Sequence, residues 1–255
     1  MGQPIGEDIR REQYDAVLFD LDGVITDTAS VHAACWKQMF DEFLRKRADE
    51  RGEAFRPFDL ATDYRLYVDG KPRFDGVRDF LKSRNIYLPD GSADDPPDAE
   101  TVASLGNRKN RLFDKIIQEG GVHPYPGSVK LIEELRKRCF EIAVVSSSHN
   151  CTAVLKAAHL NACFDAQVDG NTIDGEHLAG KPAPDTYLMA AKLLGVKPSR
   201  AIVIEDAIAG VEAGANGHFG LVIGVARQGD GKELLNNGAH LAVNDLGQLL
   251  ERLAP

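Results

Sequence analysis

The stretch AVLFDLDGVITDT, Ala16 to Thr28, decides the fold, and the rest of the chain is organised around it. Ala16 to Phe19 is a short apolar run of the kind that forms a strand buried on both faces, and it stops at Asp20. Asp20 and Asp22 are two apart, so in extended geometry their side chains project to the same side, and Gly23 lets the backbone turn away. Two carboxylates then share one small volume at the strand's carboxyl end, the edge at which open parallel sheets bind ligands. Asp and Gly are also ordinary turn formers, so this stretch alone reads equally well as a polar strand exit. The choice rests on what other strands deliver to the same edge.

Working outward, Ser30 to Glu50 carries Val31, Ala34, Cys35, Met39, Phe43 and Leu44 at near-helical spacing, which predicts a long helix. Residues 51 to 85 hold mixed short helical patterns and the segment DGKPRFDG, rich in turn formers. GSADDPPDAE, 91 to 100, reads as a polar loop and TVASLGNRKNRLFDKIIQEG, 101 to 120, as a helix. From His123 strands and helices alternate: SVKLIEELRKR, EIAVV (141 to 145), NCTAVLKAAHL, APDTYLMAAKLLG, AIVI (201 to 204), LVIGV (221 to 225) and LAV (241 to 243). Such alternation means βαβ units and an α/β fold with a doubly wound parallel sheet. The first strand precedes the helical stretch, so the helices form an insert, expected as a mobile cap over Asp20 and Asp22.

The bulk numbers narrow the function. The 255 residues suffice for one large domain or a main domain with a smaller insert. A formal net charge of −9 argues against a nucleic-acid or anionic-membrane surface, which needs clustered Lys and Arg. Cys35, Cys139, Cys151 and Cys163 show no Cys-x-x-Cys pair and no zinc-finger spacing, and reduced thiols of a cytoplasmic enzyme are expected. The start MGQPIGEDIRREQ has no apolar targeting core, Gly6 departs from a myristoylation signal, and no apolar run approaches the roughly 18 residues of a membrane span.

The other strand ends supply the missing chemistry. EIAVV ends in Ser146-Ser147-Ser148, followed by His149 and Asn150 at a helix start, where hydroxyls and free N–H groups suit a phosphate or merely cap the helix. AIVI ends in Glu205-Asp206, a second acidic pair at the same edge. Four acids there resist ionisation unless a cation sits among them, and a hard divalent ion such as Mg²⁺ answers that need. Lys181, in GKPAPD just before a helix start, offers a compact cation to a bound phosphate. Gly175 to Lys181 mimics a phosphate-binding G-x-x-x-x-G-K loop, but Pro182 stands where the metal-binding Ser or Thr would be. Gly210 and Gly214 read as close packing of a helix on the sheet.

Asp20-Leu21-Asp22-Gly23, Ser146, Lys181 and Glu205-Asp206, in that order, resemble the four motifs of the haloacid dehalogenase superfamily of phosphotransferases. Within it, FDLDGVITDTASVHAACW with Thr28, His32 and Trp36, together with IAVVSSSHN, GKPAPD and IEDAIAG, is similar to the β-phosphoglucomutase branch. Arg73 falls where that branch has a cap arginine on the substrate's non-reacting phosphate, and Arg108-Lys109-Asn110 resembles its run with a substrate-facing lysine. Departures are a basic residue expected near Asp69, for which Lys71 would substitute, His149 in place of a Lys, and the DGKPRFDG segment, unusual for that branch.

The resemblance implies a Rossmann-like core, residues 1–33 and 117–255, with an α-helical cap, 34–116. It implies Mg²⁺-dependent phosphoryl transfer with Asp20 as nucleophile and Asp22 as general acid and base. Ser146 and Lys181 would hold the transferring phosphoryl oxygens, and Asp20, Asp22, Glu205 and Asp206 would surround the metal. Thr28, His32, Trp36, Arg73, Lys109, Ser148 and Asn150 would touch the substrate. The implied activity interconverts β-glucose 1-phosphate and glucose 6-phosphate through a bisphosphate. A monomer is expected, acting on a small sugar phosphate without nucleic acid or membrane partners. The alternative is a sugar-phosphate phosphatase, in which water attacks the aspartyl phosphate.

Overall fold

A computed structural model describes residues 8–92, 94–227 and 229–254, so the Met1-Gly2 start and Gly6 lie outside the described residues. The chain forms two compact units, one of residues Thr28–Gly121 and one of the segments on either side of it.

The larger unit is built on six strands: β1 (Ala16–Phe19), β2 (Glu141–Val145), β3 (Ala166–Val168), β4 (Ala201–Glu205), β5 (Leu221–Val225) and β6 (Leu241–Val243). They pair in the order β3-β2-β1-β4-β5-β6, and every pairing is parallel. This is the expected doubly wound sheet, and β1 lies where the winding reverses, between β2 and β4. Phe19 pairs with both Val144 and Ile204, so β2 and β4 each run one residue past the end of β1, level with Asp20. The continuous apolar runs are explained by burial on both faces: Val17, Leu18, Phe19, Val144, Val145, Ile202 and Val203 are all buried. Each such side chain contributes roughly 1.5–3 kcal/mol when removed from water. β3 escaped the sequence reading because Ala-Gln-Val has no apolar run to detect.

Helices of this unit, and of the other, are numbered in chain order. In the smaller unit α1 (Ala29–Arg51) ends at Gly52, whose φ of 66° gives the left-handed cap that glycine favours. It buries Trp36, Met39, Phe40, Phe43 and Leu44. A π-helical stretch, Leu60–Val68, leads to α2 (Arg73–Ser83), and α3 (Val102–Gly120) follows. Phe40, Phe58 and Phe80 form the centre, with ring centroids 4.2 to 5.0 Å apart. DGKPRFDG is only half a turn. Gly70 takes a φ of 70°, Pro72 serves as N-cap, and Arg73 onward is helix, because Pro fits a helix start that needs no N–H from it. The larger unit adds α4 (Pro126–Lys137), α5 (Cys151–Ala157), α6 (Gly170–Gly175), α7 (Asp185–Leu193), α8 (Ile208–Asn216) and α9 (Gly231–Asn236). Gly214 packs α8 on the sheet, since a Cβ there would lie 3.1 Å from Val222 and 3.2 Å from Val203. Among the described residues no helix is long and apolar enough to cross a membrane.

Candidate active site

β1 and β4 end side by side, and each hands over an acid at the same level. Asp20 is anchored by its N–H to the Ile204 carbonyl, 2.9 Å. Between Asp20 and Glu205 lies the Lys181 ammonium, which donates to Asp20 Oδ1 and Glu205 Oε1 at 2.6 Å each and to the Val145 carbonyl at 3.3 Å. An ammonium has three N–H bonds, and these three acceptors occupy all of them. Glu205 is equally committed. Its Oε1 also accepts from the Tyr187 hydroxyl at 3.0 Å, and its Oε2 accepts from the N–H groups of Asp206 and Ala207, 3.0 Å each. Lys181 and Glu205 have fully buried side chains.

The electrostatics follow from that burial. Removal from water works against the Lys181 charge, but Asp20 and Glu205 together outweigh it and hold its pKa above the ordinary value, so it keeps its proton. Burial pushes Asp20 up, Lys181 opposes this, and the carboxylates of Glu205 and Asp22 add to the rise. The Tyr187 hydroxyl is pushed up by burial and by Glu205, so it stays a donor. Carboxylate oxygens of Asp20, Glu205 and Asp206 lie within 4.8 Å of one another. Hard oxygen donors in surplus over one ammonium suit a divalent cation.

The loop after β1 turns at Gly23, with φ of 86°, and is closed by the Gly23 N–H on the Thr26 carbonyl at 2.7 Å. Asp22 is thereby half-buried, and its Oδ2 lies 3.5 Å from the Ser146 hydroxyl at the end of β2. Ser146 Oγ accepts the Ser148 N–H and Ser148 Oγ accepts the Asn150 N–H, both at 3.1 Å, so the serines shape the turn into α5. Asn150 is the N-cap position of α5 without a side-chain capping bond. His149 Nε2 meets Asp174 Oδ2 at 2.8 Å.

The remaining candidates belong to the smaller unit. Lys109, on α3, is only 4 % exposed. Its ammonium donates to His32 Nδ1, and it lies 5.2 Å from the Trp36 ring and 5.0 Å from Phe113. A lysine can only donate, so Nδ1 carries the lone pair and the His32 proton sits on Nε2. His32 also stacks on Phe113 at 4.0 Å. His32, Trp36 and Lys109 thus form one cluster. Arg73, at the start of α2, lies over Phe74 at 4.9 Å, where the bare Gly106 of α3 admits both side chains. Thr28 occupies the N-cap position of α1. Lys71 is bound to Asp79, 2.6 Å, and to the Leu66 carbonyl, 3.4 Å.

Sequence reasoning passes over Tyr187 and finds for Gly210 only a packing role. Tyr187 sits among apolar residues of α7, and only its position six residues after Lys181 hints at a shared site. Gly210 was read as helix packing; its neighbour is specifically Glu205, whose Oε1 would lie 1.7 Å from a Cβ.

Comparisons with known proteins give the family. Residues 14–218 match the family of haloacid dehalogenase-like hydrolases. A Mycobacterium tuberculosis protein named β-phosphoglucomutase is 51% identical over 242 residues, covering 94% of this chain and 92% of the relative. A Bacillus subtilis protein of the same name is 33% identical, covering 92% and 91%. The crystal structure of β-phosphoglucomutase from Clostridium difficile superposes with a TM-score of 0.73 at 27% identity, covering 94% and 96%.

Proposed function

This chain belongs to the haloacid dehalogenase-like hydrolase family, and on that premise we propose that it is a β-phosphoglucomutase, interconverting β-glucose 1-phosphate and glucose 6-phosphate. The observation that carries the reading is the 51% identity to a protein of that name along 94% of the chain. The buried Asp20–Lys181–Glu205 centre gives it a chemistry.

Asp20 is the nucleophile. One of its oxygens attacks the substrate's phosphorus, the bond to the sugar oxygen breaks, and Asp22 gives that oxygen a proton. An aspartyl phosphate on Asp20 results. In the second half Asp22 takes the proton from the other sugar hydroxyl, whose oxygen attacks the phosphorus and frees Asp20. Lys181 keeps Asp20 Oδ1 fixed during attack, and Glu205 with Tyr187 keeps Lys181 in place. Ser146 binds a phosphoryl oxygen beside Asp22. Ser148 and Asn150 are assigned to the substrate, the same role is assigned to Thr28, His32, Trp36 and Lys109, and Arg73 to the phosphate that does not react. Mg²⁺ fits the donor set: Asp20 and Asp206 would hold it, with the Asp22 carbonyl, and Glu205 adds its charge nearby. When bound it neutralises phosphoryl charge in transfer.

The test supplies β-glucose 1-phosphate, Mg²⁺ and a trace of glucose bisphosphate, and follows glucose 6-phosphate and free phosphate together. Formation of glucose 6-phosphate well ahead of phosphate is expected. Phosphate released in step with substrate loss would instead establish the second reading, a sugar-phosphate phosphatase, which the family's hydrolase members favour.

A further inference from the structure

A second cation stands at the carboxyl edge of the sheet, two residues beyond β5, and the mechanism above gives it no task. Arg227 directs its guanidinium at the loop that follows Asp22. Its Nε donates to the Gly23 carbonyl at 2.7 Å and its Nη2 to the Val24 carbonyl at 3.1 Å. Nη2 also reaches Ser128 Oγ at 3.5 Å, and Nη1 pairs with Asp245 Oδ2 at 3.0 Å. Its flat face lies 3.4 Å from the centre of the Tyr125 ring. The side chain is 17% exposed.

The neighbours converge on the same few residues. Ser128 Oγ donates to the Val24 carbonyl at 2.7 Å, the Tyr125 N–H binds the Ile25 carbonyl at 2.9 Å, and the Tyr125 hydroxyl binds Asp27 Oδ1 at 2.9 Å. Gly23 sits at positive φ directly after Asp22, so the peptide that aims the Asp22 side chain has a soft joint beside it. A guanidinium is suited to the repair: it is planar, permanently charged, and holds several carbonyls in one fixed fork.

We propose that Arg227 is a positioning residue for the phosphoryl-transfer reaction: by gripping the Gly23 and Val24 carbonyls it fixes the loop that aims Asp22 at the sugar oxygen. The proposal rests on the assignment of Asp22 as proton donor under the proposed function. Misplacing a reacting group by about 1 Å can cost on the order of 100-fold in rate, so a loosened loop should slow turnover strongly without weakening substrate binding.

The leaving group separates this role from simple support of the fold. A sugar oxygen departs only with a proton, whereas p-nitrophenolate is a weak base that leaves without one. In Arg227→Gln, kcat for β-glucose 1-phosphate should fall about 10- to 100-fold with KM within about threefold, while the p-nitrophenolate burst from p-nitrophenyl phosphate falls far less. Arg227→Lys, which keeps a charged donor to one carbonyl, should recover part of the loss. Ser128→Ala removes the second donor to Val24 and should shift the same ratio by a smaller factor, about two- to fivefold, even if Arg227→Gln proves unfolded. Equal losses on both substrates in Arg227→Lys and Ser128→Ala, or none, would overturn the proposal. Failure of the unmodified protein to turn over any sugar phosphate would instead strike the functional reading, before any variant is compared.

Discussion

Asp20 was legible in the sequence because a residue that ends a buried apolar strand has only one place to go, the carboxyl edge of the sheet. The partner of Lys181 was not legible. Its donors are filled by residues 161, 36 and 24 positions away, and only the register of β1 with both β2 and β4 brings those acceptors together. The cation that the acidic cluster demanded is therefore partly supplied by the chain itself. Asp20→Asn should abolish sugar-phosphate turnover with little change in melting temperature, because the amide oxygen can replace Oδ1 toward Lys181 yet cannot attack phosphorus. Retained turnover in that variant would remove Asp20 as nucleophile. Glu205→Ala should behave in the opposite way, as a folding defect first. It strips a buried ammonium of one acceptor and orphans Tyr187, and breaking a buried pair by removing one partner costs about 3–5 kcal/mol. Urea unfolding measures this, and a loss below about 1 kcal/mol would mean that Lys181 is not held by Glu205.

At the scale of elements, EIAVV and LVIGV were read to their ends because runs of buried apolar residues mark them, whereas AIVI stopped one residue short of β4, whose last residue, Glu205, is a buried acid. β3 was invisible, and the π-helical Leu60–Val68 was legible only as part of the mixed short helical patterns of residues 51 to 85, since tertiary contacts rather than local periodicity define such short pieces. How β1 enters the sheet makes a further prediction. Asp15, just before the strand, accepts from both Arg200 Nε and Nη2, and its N–H binds the Arg200 carbonyl at 2.7 Å, tying the start of β1 to that of β4. Chiefly through the Arg200 hydrogen bonds, the Asp15 pKa is held down to about 2 from 3.8. A depressed carboxyl stabilises the fold only while ionised, so the contribution is complete above about pH 4 and disappears as pH falls toward 2. The pair is partly exposed, 28% and 38%, so solvent screening keeps its contribution small. Asp15→Asn should then lower the melting temperature by a few degrees at pH 7 and by almost nothing once the pH is below about 2. A difference that persists undiminished at the acid end would assign the loss to packing.

For the molecule as a whole, charge sets the first condition: a chain of net −9 must bind an anion, at a site where acids outnumber the resident lysine. Chelation of divalent metal should therefore stop turnover and Mg²⁺ should restore it, whereas full activity in excess chelator would refute the metal. Under the proposed function, the balance between transfer to sugar and loss to water turns on Arg73, a residue of the smaller unit. A mutase must hold a sugar by its idle phosphate, release it, and rebind the bisphosphate in the opposite sense, so it needs a cation that reads either phosphate equally. Arg73 suits this, since its planar fork can make paired bonds to phosphate, and Lys71, bound to Asp79 and a carbonyl, is less able to replace it. Charge-assisted bonds contribute roughly 1.5–3 kcal/mol each, so Arg73→Ala should reduce kcat/KM for β-glucose 1-phosphate by about 10- to 100-fold or more. Hydrolysis of p-nitrophenyl phosphate, which has no second phosphate to hold, should survive. If both activities fall together, Arg73 serves the fold of the smaller unit, where it packs with Phe74 against Gly106. If neither changes, the idle phosphate is held by other residues, and the phosphatase reading gains the ground that the mutase loses.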